Sequence, residues 1–142
     1  MNSVKIKNVT PKTYVLELVQ TILKKCDEDI RAYKEKINED FLHYFVVNTK
    51  SHVICAMMKE QLEELRSWIE TEADDEKIVE LLESGVSFMS KKLLEYRRPQ
   101  STNELHNLKE EYKLEMYSTL ITTYQQMVNR TRSYMTQNNS ME

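Results

Sequence analysis

The sequence predicts an all-α fold: an elongated up-down bundle of about four helices in which the first and last are long. Three observations lead there. The 142 residues contain one glycine and two prolines, whereas a fold rich in tight turns uses glycine at about 7%. Apolar residues recur every three or four positions through most of the chain, which is the period of a helix face and not of a strand. Hydrophobic residues make up 40% and charged residues 30%, enough apolar material for one core without disulfides or metals and too much for a disordered chain.

Residues 1–10 read as an N-terminal arm in which Val4 and Ile6 alternate with Lys5 and Lys7. Thr10-Pro11 is an N-cap followed by proline at the first helical position, where its missing N–H costs nothing. From there Val15, Val19, Ile22, Cys26, Ile30, Tyr33, Ile37, Phe41 and Tyr44 form one stripe. They predict a continuous helix over 11–47, about 55 Å long, ended by a turn at Asn48-Thr49-Lys50-Ser51. A second helix places Ile54, Met58, Leu62, Leu65, Trp68 and Ile69 on one face and stops near Glu72, with Trp68 expected in the core.

Asp74 or Asp75 is expected to cap a third helix, whose stripe is Ile78, Leu82, Gly85/Val86, Met89, Leu93 and Tyr96 and which Pro99 stops. Gly85 within it marks a close helix crossing or a small kink. Ser101-Thr102-Asn103-Glu104 reads as a capping box opening a fourth helix over 102–136. The bundle domain therefore spans 11–136, and the polar residues 137–142 are expected to be a disordered tail. Short connections make consecutive helices antiparallel neighbours.

Two apolar faces are wider than a simple bundle needs. The end of the first helix broadens through Phe41, Leu42, Tyr44, Phe45, Val46 and Val47. The second half of the fourth helix carries a heptad-like row, Leu114, Tyr117, Ile121, Tyr124, Val128, Thr131 and Met135, beside Leu120 and Met127. Such a row is either core within the chain or a coiled-coil seam toward another chain. Tyr and Met suit interfaces. The candidate partner-binding residues are thus Leu114, Tyr117, Ile121, Tyr124, Val128 and Met135, with Phe41, Phe45 and Val46 second.

The expected function is non-enzymatic: a cytoplasmic or nuclear adaptor, or a structural subunit of a multiprotein assembly. Its partner is another protein or a second copy of itself, joined through helix–helix contacts. No nucleic acid is expected, because no segment concentrates Lys and Arg; residues 51–80 instead hold three basic against nine acidic residues. No membrane is expected, since no apolar run approaches the roughly 20 residues that span a bilayer. The first ten residues lack the apolar segment of a secretory leader.

A single glycine cannot supply a phosphate-binding loop. Cys26, Cys55, His43, His52 and His106 make no zinc-ligand spacing, and Asp40 with His43 is one carboxylate–imidazole pair where a di-iron bundle needs two. No cofactor, metal or small-molecule substrate is expected. A Cys26–Cys55 disulfide is not expected either, because a turn near residue 49 would set Cys26 opposite residues near 70. Two other classes remain as alternatives. A secreted four-helix signalling protein is suggested by the acceptor patterns at Asn8, Asn129 and Asn138. A viral or bacterial inhibitor of a target protein could present the same surface.

Overall fold

The computed structural model describes residues 10–72, 74–96 and 103–140. Among them there are four α-helices and no strand: α1 (Pro11–Glu39), α2 (Phe41–Glu72), α3 (Ile78–Glu95), preceded by a 3-10 turn at Asp75–Lys77, and α4 (Glu104–Ser140). The bundle class and the long last helix agree with the sequence. The arm at 1–9, the stop at Pro99 and the Ser101 cap lie outside the described residues. Asn103 performs the capping there, its side-chain oxygen accepting from the His106 N–H at 3.1 Å. α4 continues through Gln137 to Ser140, so that stretch of the expected tail is helical.

The expected continuous helix over 11–47 is broken at Asp40. This residue leaves helical geometry (φ −147°, ψ 83°) while its N–H still donates to Lys36 O at 3.0 Å, closing the last turn of α1. Its carboxylate accepts from the His43 N–H at 3.3 Å and its carbonyl from Tyr44 N–H at 3.1 Å, opening α2. Asp40 is therefore an N-cap, and the Asp40/His43 spacing reflects that cap. The predicted turn at 48–51 is helical instead. The Thr49 hydroxyl donates back to the Phe45 carbonyl four residues earlier and contacts the Tyr33 hydroxyl at 3.0 Å. Polar residues that favour turns are tolerated mid-helix when their side chains bond the preceding turn in this way.

Moving the turn from 49 to 40 changes which residues face each other. Cys26 and Cys55 are now neighbours: the Cys55 thiol donates to the Cys26 carbonyl at 3.6 Å, and both thiols are free. Lys59 reaches Asp27 at 2.7 Å and Arg66 bonds Gln20 at 2.9 Å in the same register. At the far end of the hairpin Lys12 Nζ donates to the Glu70 carbonyl, 3.2 Å. The start of α1 is satisfied twice. The Thr10 hydroxyl accepts from Thr13 N–H at 3.2 Å, as predicted, and the Asp75 carboxylate accepts from Lys12 N–H at 2.9 Å. Asp75 thus caps α1 and not the third helix, and Asp74 makes no side-chain cap.

The second hairpin, α3–α4, packs on the first mainly through α4, which touches α1, α2 and α3. α4 runs antiparallel to α1, with Tyr14 stacked on Tyr134 at 4.4 Å, and parallel to α2, with Lys50 paired to Glu115 at 2.8 Å. Among the described residues α2 and α3 make almost no direct contact. The core gathers Val15, Val19 and Leu23 of α1, Leu62 and Ile69 of α2, Ile78 and Leu82 of α3, and Met116, Leu120 and Met127 of α4. Each fully buried aliphatic side chain contributes about 1.5–3 kcal/mol relative to exposure. The Thr131 hydroxyl joins this interior by donating to Met127 O at 2.6 Å.

All of this core lies at one end. No residue from Asp27 through Gln61 is fully buried, and none of the described residues from Ser90 through Glu115 is. Gly85 meets the expectation of a close crossing: a Cβ there would stand 2.7 Å from Cε2 of Tyr124.

Two experiments follow from this register and this crossing. Treating native protein with diamide, which takes up the two electrons and two protons the thiols lose, is expected to link Cys26 to Cys55 within one chain. Burial pushes the Cys26 thiol up to about 12 and raises Cys55 as well, so the reaction should quicken as pH rises and thiolate forms. Mass spectrometry of the cross-linked peptide checks this; a turn at 48–51 would give no native link. Gly85→Ala is expected to lower stability by about 1 kcal/mol, since overpacking costs about 1–3 kcal/mol and helix propensity returns about 1 kcal/mol. With Tyr124→Ala in place the same substitution should raise stability, as urea melts of the four variants would show.

Candidate functional site: an exposed apolar end and an open groove

The helix ends opposite the core are rich in exposed apolar side chains. α2 begins Phe41-Leu42-His43-Tyr44-Phe45-Val46-Val47, apolar around nearly its whole circumference. A helix of that kind is ordinarily covered on all sides. Here Leu42 is 75% and Val46 78% exposed, and Phe41, Phe45 and Val47 are also open, with Phe41 and Phe45 stacked at 5.2 Å. Leu105 and Leu108 of α4 and Leu94 and Tyr96 of α3 are exposed at the same end. That shared location follows from the helix directions, since Lys50 of α2 is level with Glu115 and Phe88 of α3 is level with Tyr117. Among the described residues, only Trp68 and Phe88 of the large exposed hydrophobic side chains lie elsewhere.

The candidate row on α4 divides. Tyr117, Tyr124 and Val128 are buried in the chain's own core, each at most 6% exposed. Leu114 and Ile121 are half-buried and pack against that core, and Met135 is half-buried. The wide face of α4 is thus used mainly within the chain, because α4 packs along α3 and also meets α1 and α2. Phe41, Phe45 and Val46, the second group, stand in the open.

Trp68, expected in the core, is 48% exposed. It borders a groove of about 360 Å³ that runs over α4 between α2 and α3, the pair of helices that do not close on each other. Leu65 and Trp68 form one wall, Leu81, Phe88 and Met89 the other, and Tyr117 and Tyr124 the floor. Burial pushes the Tyr124 hydroxyl up to about 12, and the nearby Glu64 charge acts in the same direction. Lys92 stands 5.5 Å from the Phe88 ring and Lys113 6.0 Å from the Tyr117 ring, within cation–π range.

A second groove, about 290 Å³, follows the α1–α2 seam past Tyr33, Tyr44 and His52. His52 stacks on Tyr33 at 4.1 Å. Its Nδ1 is buried without a hydrogen-bond partner among the described residues. Burial, then the charge of Lys34, lowers its pKa, which favours the neutral imidazole. The sequence weighs His52 only as a metal ligand, because its stacking partner Tyr33 becomes visible only once the turn is placed at Asp40. His43 is exposed beside that turn.

Among the described residues no three His, Cys, Asp or Glu side chains are grouped to hold a metal ion, and no helix is long and apolar enough to cross a membrane. Asn129 is exposed on α4. The architecture defines an all-α protein of two hairpins packed through α4. Compared with protein-family models, with curated proteins and with solved structures, the chain matches none.

Proposed function

We propose that this chain is a non-enzymatic helical adaptor or structural subunit that binds a partner protein, or a second copy of itself, with the exposed apolar surface opposite its buried core. The observation that carries this reading is the exposed apolar start of α2, Phe41 to Val47, placed level with Leu105 and Leu108. Contiguous apolar surface on a folded chain marks interaction sites. Aromatic residues such as Phe41 and Phe45 supply large contact area with few rotatable bonds. The buried core lies at the opposite end, so changes to these exposed side chains leave it untouched. Intracellular placement belongs to the same proposal and rests on the two free cysteines. A secreted signalling role is the second reading, favoured only by the accessible Asn129; a glycan there after expression in a secretory host would support it.

The test is the double variant Leu42→Glu, Val46→Glu. Both positions are largely exposed, so helicity and melting temperature should stay unchanged, within the about 0.5 kcal/mol typical of surface substitutions. Association should fall by at least about tenfold, measured as self-association by sedimentation or as stoichiometric co-purification from the cells that make the protein. Association that survives the double variant would overturn the assignment of this surface. A wild-type chain that stays monomeric and purifies alone would overturn the subunit reading itself.

A further inference from the structure

We propose that the groove over α4 is a second docking site and that its occupant is an amphipathic helix of another protein, with a basic flank along α2 and acidic residues at the Lys92/Lys113 end. Shape points to a helix. Three sides of a helix-sized slot are already present: α2 and α3 as walls that do not meet, and α4 as the floor. From Lys113 to Tyr124 the floor is about 16 Å long, which accommodates about three helical turns. The lining is aromatic and apolar, with Trp68 48% and Phe88 53% exposed at the two rims. An amphipathic helix laid into such a slot buries anchors at i, i+3 or i+4, and i+7.

Charge selects among helices. Glu64 lines the α2 side of the groove with Glu60 one helical turn before it, and Lys113 lines the groove beside Tyr117 while Lys92 stands against the ring of Phe88. Among the described residues none of these four side chains is in an ion pair. An occupant with lysine or arginine on the α2 flank and a carboxylate over Lys92 and Lys113 would pair all four. Such complementarity acts mainly on specificity and approach. The groove is about 25 Å along α2 from the exposed Val46, so the two surfaces can be engaged together and a tethered partner would gain effective concentration. This second site does not depend on the assignment of the first, since different residues carry it.

Trp68 is the chain's single tryptophan, so its emission reports occupancy of the groove directly. The probe is a synthetic leucine-faced peptide of about 18 residues, long enough to be helical alone, with lysines along one flank and glutamates along the other. The control has the same composition with the charges alternating across both flanks. Titrated into the full chain, the segregated peptide is expected to blue-shift Trp68 and to bind at least about tenfold tighter than the control. Glu60→Lys with Glu64→Lys, both at exposed positions, should remove that preference. Equal binding of the two peptides, or a preference that survives the charge reversal, would overturn the proposal. So would a Trp68 emission that shifts red when residues 1–9 are deleted, which would identify the chain's own arm as occupant. An emission that shifts on dilution would assign the groove to a second copy and overturn it equally.

Discussion

Asp40 sets the register on which the rest of the molecule depends. One residue closes α1 through its backbone N–H and opens α2 through its carboxylate, so the chain reverses with a single non-helical position. A reversal this tight leaves little freedom in how the two helices align. It brings Cys55 to Cys26, His52 to Tyr33 and Glu70 to Lys12. The last of these is reinforced by Asp75, which reaches back across the bundle to cap the first turn of α1. A helix N-terminus carries unpaired N–H donors and a partial positive charge, so a carboxylate from a distant turn both satisfies it and ties the two hairpins together.

With the register in place, packing becomes uneven along the bundle. Fully buried side chains gather where α1 contributes Val15 to Cys26, α2 contributes Leu62 to Ile69, and α3 contributes Ile78 to Met89 against α4. Beyond that zone the hairpin α1–α2 and the start of α4 are joined by half-buried side chains and by exposed ion pairs such as Lys50–Glu115, which contribute little in water. Local stability should therefore decline from the core end to the opposite end. Large apolar side chains described at that end, Phe41, Leu42, Phe45, Val46 and Val47 among them, stand exposed. The groove at Trp68 has a related origin, because a diamond of four helices whose α1–α4 diagonal is short leaves its α2–α3 diagonal open.

Much of the fold was legible in the residues. Scarce glycine and a three-to-four repeat identify helices whatever their neighbours, and Thr10-Pro11 is a local signal that worked as a local cap. Gly85 was readable as a crossing because in a helix it sacrifices stability that only close packing restores. The first turn was misread because its cues were ambiguous: Asn48 to Ser51 looks more turn-like than Asn38 to Asp40, yet Thr49 can bond the preceding turn. The exposed Phe41, Phe45 and Val46 were found as a widened stripe, while the breadth of α4 proved to be the mark of a central helix.

By itself the sequence determined what is local: helix content, the Thr10 cap, the apolar stripes and the start of the first helix, since these depend on backbone propensity and on residues a few positions apart. Tertiary structure alone decided where the chain reverses between its first two helices and whether a stripe is covered by the same chain or left open. Trp68 and Tyr117 lie on stripes of the same quality, and one is half exposed while the other is buried. The difference is which helices stand opposite them. That depends on distances between residues far apart in the chain, which no periodicity encodes.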